Sequence, residues 1–297
     1  MHETVPERAR VFDRRLLRQR RARALAGGGD HDFLLREVGD RLADRLADVT
    51  RRFPLALDLA CRGGTLAGLL AGRGGIETLL QCDLATNGAR QACGAGPAFV
   101  ADEELLPFGP ESLDLVLSNL ALHWVNDLPG ALAQIRAALK PDGLFLASMF
   151  GAGTLAELRS CLMEAELAET GGASPRVSPF AGLRDAAGLL QRAGFALPVA
   201  DSDTIIVTYP DLFRLLADLR GMGETNLLRE RIKHPTRRAV FARAAALYQE
   251  RFAEPDGRLR ATFQVLFLTG WAPHSSQQQP AQRGSGKADL RDVLGNG

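Results

Sequence analysis

From Phe53 onward the chain repeats one pattern: a short apolar run, a turn of small or acidic residues, then a helical stretch. The runs are Leu55 to Ala60, Thr78 to Cys82, Ala98 to Ala101, Leu113 to Ser118 and Gly143 to Phe150. Apolar runs separated by helices read as strands joined by crossovers, and right-handed crossovers give a parallel sheet with helices on both faces. In such a sheet the ligand crevice lies outside the carboxyl ends of the strands, so functional residues are expected just after each run.

Local signals agree with this reading. Before the fifth run, Asn126-Asp127 supplies a cap, Pro129 sits in the first turn, and Leu128, Leu132, Ile135 and Leu139 share a face, with Lys140-Pro141-Asp142-Gly143 as the exit turn. A later helix carries Leu183, Ala187 and Leu190 and ends at Gly194. Asp203 to Tyr209 and Thr262 to Leu268 add two strands, predicted to pair antiparallel at the sheet edge. Between these two lies a helical insert at about 210–255, expected to cap the crevice. Its two apolar stripes are Leu212, Leu215, Leu216 and Leu219, then Phe241, Ala244, Ala245, Tyr248 and Phe252.

The front of the chain is different. Eight arginines fall between Arg8 and Arg23, with Asp13 the only acid among them, before Gly27-Gly28-Gly29-Asp30 breaks the helix. That density suits a membrane-surface helix, a docking face, a transit peptide or a solvated helix. Leu35, Val38, Leu42, Leu46 and Val49 follow at helical spacing as a core face. The expected organisation is a basic helical segment over 1–52, the sheet domain over 53–270, and a polar tail over 271–297 with a short helix at Lys287 to Leu294.

Composition removes several functions. With 36 basic against 35 acidic residues there is no polycation field, so general nucleic-acid binding is disfavoured. No apolar run approaches the roughly 18 residues of a membrane span, and a soluble, unexported protein is expected. The four cysteines form no C-x-x-C pair, and His2, His31, His123, His234 and His274 enter no H-x-D/E motif, so neither a disulfide framework nor a metal site is expected.

The chemistry-bearing pattern is a series of acids at successive strand ends. Asp58 opens the turn Asp58-Leu59-Ala60-Cys61-Arg62-Gly63-Gly64, Asp83 closes the second run, and Asp102 follows the third. A carboxylate after the second strand can accept from a ribose diol, and one after the third from an adenine amino group. In that order, at the expected crevice, they favour an adenosine-containing ligand. A G-x-G-x-x-G dinucleotide fingerprint is absent.

These residues resemble the class I S-adenosylmethionine-dependent methyltransferases. The likeness continues through Asp102-Glu103-Glu104-Leu105-Leu106-Pro107-Phe108, Ser112-Leu113-Asp114-Leu115-Val116 and Leu139-Lys140-Pro141-Asp142-Gly143 to Leu189-Leu190-Gln191-Arg192-Ala193-Gly194-Phe195. It implies a Rossmann-like class I methyltransferase fold with a mostly parallel seven-stranded sheet, S-adenosylmethionine as cofactor, and a binding set of Asp58, Ala60, Arg62, Gly64, Asp83, Leu84, Asp102, Glu103 and Asn119. The departure is in the glycine turn: where that family has D-x-G-x-G-x-G, Ala60 and Arg62 replace the first two glycines. Arg62 is expected to turn toward the cofactor carboxylate or to solvent, and to weaken cofactor affinity.

A narrower resemblance spans nearly the whole chain. Phe12-Asp13-Arg14-Arg15, Glu37-Val38-Gly39-Asp40-Arg41, Leu122-His123-Trp124-Val125-Asn126-Asp127, Gly153-Thr154-Leu155 and Gly221-Met222-Gly223-Glu224-Thr225-Asn226 are similar to the family of respiratory complex I assembly factors with a methyltransferase fold, associated with hydroxylating an arginine of a complex I subunit. It implies a protein substrate, cytoplasmic placement in a bacterium with peripheral inner-membrane contact through the basic helix, or the mitochondrial matrix in a eukaryote. A malonyl carrier-protein carboxyl methyltransferase and a noncatalytic assembly chaperone are the alternatives. His123 and Trp124, after the fourth run, are the catalytic candidates: His123 to relay a proton or hold an acceptor, Trp124 to stack on substrate or cover the site, or both simply to pack. Ser118-Asn119-Leu120-Ala121 lacks the N/D-P-P-Y element of many amino-group and base methyltransferases.

Overall fold

The computed structural model describes residues 9–28 and 30–278. The start of the arginine-rich segment, most of the expected tail and its short helix lie outside the described residues. Seven strands form one sheet: β1 (Leu55–Leu59), β2 (Thr78–Asp83), β3 (Ala98–Val100), β4 (Leu113–Ser118), β5 (Leu139–Phe150), β6 (Ala196–Tyr209) and β7 (Leu259–Trp271). Their order is β3-β2-β1-β4-β5-β7-β6, with only β7 reversed: it runs antiparallel to both β5 and β6. The reversal of strand order at β1 and β4 opens the crevice where the sequence places it.

Helices cover both faces. On one lie α2 (Phe33–Ala47), α6 (Ala156–Thr170), and the insert helices α8 (Leu212–Gly221) and α9 (Arg238–Phe252). Leu34, Val38, Leu42 and Leu46 of α2 are fully buried there, each worth about 2 kcal/mol of apolar transfer. On the other lie α5 (Leu128–Ala138) and α7 (Leu183–Arg192). Asp127 caps α5 by accepting from the Gly130 backbone N–H at 2.9 Å, and Gly194 leaves α7 at φ +82°. Short helices α3 (Thr65–Leu69) and α4 (Thr86–Ala92) follow β1 and β2.

Two expected boundaries move. The exit turn Lys140 to Gly143 is part of β5, held in a register shift against β4, with Asp142 at φ +63° and Lys140 Nζ 2.9 Å from Asp114. Strand β6 begins at Ala196 rather than at Asp203, because the polar stretch through Asp201 and Ser202 continues the pairing with β7 along the sheet's edge. There its acids meet α2: Arg45 reaches Asp201 at 3.1 Å and Arg41 reaches Asp203 at 3.3 Å. Tertiary charge pairing overrides the low strand preference of aspartate.

The helix α1 (Arg14–Ala26) lies across the crevice. Asp13 caps it by accepting from the Leu16 N–H at 3.0 Å. Phe12 and Leu17 join Trp124, Leu227 and Leu228 in a separate apolar cluster, and Asn87 of α4 donates to the Ala22 carbonyl at 2.7 Å. No described helix is long and apolar enough to cross a membrane.

Candidate active site

The turn after β1 is strained by its own sequence. Ala60 has φ +62° and Arg62 φ +48°, the left-handed region that glycines occupy freely, at a cost of about 1 kcal/mol each. The turn keeps this shape through hydrogen bonds: Cys61 N–H donates to the Cys82 carbonyl at 2.9 Å, and Arg62 N–H to Asp83 Oδ2 at 2.9 Å. Gly64, at φ +89°, begins α3, and a Cβ there would meet Ala92.

The acids at the strand ends converge at the sheet's carboxyl edge, but in unequal states. Asp58 is completely buried, and neither carboxyl oxygen has a hydrogen-bond partner among the described residues. Burial, with the neighbouring Asp83 adding to it, pushes its pKa up to about 8. Asp83 is equally buried and accepts from two backbone N–H groups, those of Arg62 and Ala85, the latter at 2.7 Å. Asp102 receives Arg14 Nη2 at 2.5 Å. Glu103 receives both Arg14 and, at 2.5 Å, Arg21 Nη1. Burial raises the Glu103 pKa, but Arg21 and Arg14 overcome it and hold the group at about 2.

Arg21 is 1% exposed. Its pKa is raised, because the attraction of Glu103 and Asp83 outweighs desolvation. Its Nε and Nη2 have no partner among the described residues. The arginine-rich segment is therefore not simply a solvated helix: Arg14 and Arg21 turn into the crevice, while Arg15, Arg18 and Arg23 face solvent.

Arg62 does not point to solvent. Its Nη1 lies 2.5 Å from Glu224 and its Nη2 donates to the Met222 carbonyl, tying the glycine-poor turn to the insert. Glu224 also accepts from Trp124 Nε1 at 2.8 Å and faces His123 Nε2 at 3.2 Å. Burial raises the Glu224 pKa, yet Arg62 and His123 bring it down to about 2. The Phe150 backbone N–H donates to His123 Nδ1 at 3.4 Å, so the neutral ring carries its proton on Nε2 and donates to Glu224. Burial holds His123 below its ordinary pKa despite Glu224.

Trp124 packs edge-on against Phe12 at 5.3 Å and Phe180 at 6.0 Å. Asn119 is structural in its contacts, donating to the Leu35 carbonyl at 2.8 Å and accepting from Ser148 Oγ at 2.8 Å. Leu84 packs against the Phe12 cluster. Among the described residues no group of three or more His, Cys, Asp or Glu side chains is placed to hold a metal ion.

The sequence-derived set thus divides. Asp58, Ala60, Arg62, Gly64, Asp83, Asp102 and Glu103 lie around one crevice, and His123 and Trp124 join it through Glu224. Glu224, Arg14 and Arg21 were missed as site residues. Glu224 stands in the insert, 101 positions from His123, within the Gly221 to Asn226 segment that carries the family resemblance but has no chemical signature of its own. The two arginines sit at i and i+7 on α1, a helical-face spacing that the surrounding arginines conceal.

Comparison with known proteins fits this architecture. A family model described as "Methyltransferase domain" matches residues 57–147. The chain is 45% identical to the human "Arginine-hydroxylase NDUFAF5, mitochondrial" over 98% of its length and 85% of that protein's. It is 43% identical to the Danio rerio protein of the same name over 95% and 89%. A "Malonyl-[acyl-carrier protein] O-methyltransferase" of Xylella fastidiosa is 33% identical, over 89% and 90%. Among solved structures, the YcgJ protein of a Bacillus superposes with a TM-score of 0.55 at 14% identity, covering 79% of this chain and 98% of that one, a likeness of fold.

Proposed function

The chain belongs to the family of the arginine-hydroxylases NDUFAF5, and from that membership we propose that it is an S-adenosylmethionine-binding enzyme of methyltransferase fold that modifies an arginine of a complex I subunit during assembly of that complex. The observation that carries this reading is the reach of the similarity. At 98% of the chain it takes in α1, the crevice and the Met222-Gly223-Glu224 segment, well beyond the methyltransferase core at 57–147.

The crevice suits the cofactor at one end and must rearrange at the other. The Asp58 carboxyl group, without a partner among the described residues, fits an ammonium group such as that of the cofactor's amino-acid end, whose charge would favour its ionised form. Asp83 would take the ribose diol through its remaining lone pairs, and Asp102 the adenine amino group once Arg14 releases it. When bound, the group supplies an electrophilic methyl sulfonium. This chain's residues orient a substrate against it: Trp124 and Glu224 form a wall, and His123 holds a proton at Nε2.

Deletion of the gene followed by intact-mass analysis of complex I subunits tests the reading. Loss of one oxygen mass on an arginine supports hydroxylation, and loss of a methyl mass supports transfer. A noncatalytic chaperone is the second reading, favoured by one observation: three of the strand-end acids are already paired by the chain's own arginines or backbone. It predicts unchanged subunit masses, with His123→Ala and Asp83→Asn both supporting full assembly. Placement beside a membrane is also proposed, through the exposed Arg15, Arg18 and Arg23. Salt-sensitive binding to anionic vesicles, lost when residues 1–26 are removed, is the expected outcome.

A further inference from the structure

A cavity of about 540 Å³ lies beside the crevice, between α1, α6, α8 and α9. Trp124 and Glu224 line it, so it is continuous with the candidate active site. Its walls are apolar, from Leu155, Leu158, Leu219 and Phe241. Its charged lining is one-sided: Arg20, Arg176, Arg220, Arg231 and Lys233 against a single acid, Glu224. That acid is already neutralised by Arg62.

Two of the cations are partly satisfied by carboxylates behind the lining, Arg176 by Glu166 and Arg231 by Asp13 at 3.4 Å. Among the described residues Arg20 donates to the Asn226 carbonyl at 2.5 Å, and burial, Arg231 and Arg23 lower its pKa against the opposing pull of Asp13. These cations repel one another, and an anion entering between them would relieve that repulsion. Arg220 and Lys233 are exposed. A buried hydroxyl in the lining, that of Ser178, has no hydrogen-bond partner among the described residues.

We propose that this cavity receives an acidic, partly apolar segment of the protein substrate, which places the residue next to that segment at Trp124 and Glu224. The proposal rests on the protein-substrate reading above and specifies the chemistry of the sequence beside the modified residue: carboxylates for the cationic lining and aliphatic side chains for the walls. A cationic segment would meet five like charges here. A small amphiphilic carboxylate has the same chemistry without the peptide backbone, and the test separates the two.

Fluorescein-labelled Glu-Leu-Glu-Leu-Glu-Leu and its Lys-for-Glu counterpart are titrated with the full chain, followed by anisotropy. The acidic peptide is expected to bind, to weaken with salt, and to lose about tenfold in affinity when Arg220→Glu and Lys233→Glu are combined. Both side chains are exposed, so the variant's circular dichroism and melting temperature should match the parent's. Equal binding of both peptides, or unchanged affinity in the double variant, overturns the proposal. So does saturable decanoate binding, followed by Trp fluorescence, with no peptide binding. Altered subunit masses in the deletion strain read the enzymatic assignment separately, so either result can fail while the other stands.

Discussion

The residue whose state says most about the crevice is Asp58, a carboxyl group buried without a partner among the described residues and with its pKa raised to about 8. Its folded pKa lies above its ordinary 3.8, so the folded protein binds more protons than the unfolded chain between those values. The stability contributed by this group is therefore complete at low pH and is lost as pH rises through 8. Asp58→Asn removes the titration. The stability of the variant relative to the parent, from urea melts at fixed pH, should climb steadily from pH 4 to pH 8, and a flat difference would show that Asp58 is solvated. Asp58, Asp83 and Asp102 were legible in the sequence because each stands at or just past the carboxyl end of its strand. Their protonation and pairing were not, because burial and opposing charges come from segments far away in the chain.

At the scale of elements, α1 decides whether the crevice is open. Its Arg14 and Arg21 place two guanidinium groups against Glu103, and the Asp13 cap and the Phe12–Leu17–Trp124 cluster fix the helix over them. Arg21→Ala leaves Glu103 with Arg14 alone in a dry site and should destabilise the protein by about 3 kcal/mol, measured by chemical denaturation. Replacing both members, Arg21→Met with Glu103→Leu, should recover most of that loss. If α1 competes with the nucleoside, calorimetry with S-adenosylhomocysteine will show tighter binding to this double variant than to the parent; equal affinity would mean that the helix stays in place on binding. The insert acts similarly through Glu224, joining Arg62, His123 and Trp124 across the crevice. Helical periodicity identified both insert helices, α8 and α9. The glutamate in the loop between them carries no period, so its role emerged only from packing.

For the whole molecule, acid stability is set by two buried carboxylates. Glu103 and Glu224 both sit near 2 rather than 4.5, so the stability they contribute is present above pH 4.5 and disappears as pH falls toward 2. His123, kept neutral, adds a loss below its ordinary 6.5. Cooperative unfolding in the pH 2 to 4.5 window, with the α1 and insert amides exchanging first, is the expected result by hydrogen exchange; global stability unchanged down to pH 3 would contradict it. The alternation of apolar runs and helices by itself determined the parallel sheet, its crevice and the strand-end acids, since strand and helix periodicity and chain-order crossovers are local properties of a sequence. The turn's glycine pattern likewise showed where backbone strain would fall. Only the tertiary structure decided that the basic leading helix lies inward, that Arg62 binds the insert, and that the acids meet arginines rather than solvent. Those outcomes depend on desolvation and Coulomb energies between groups as many as 162 residues apart, which become defined only when the chain has folded.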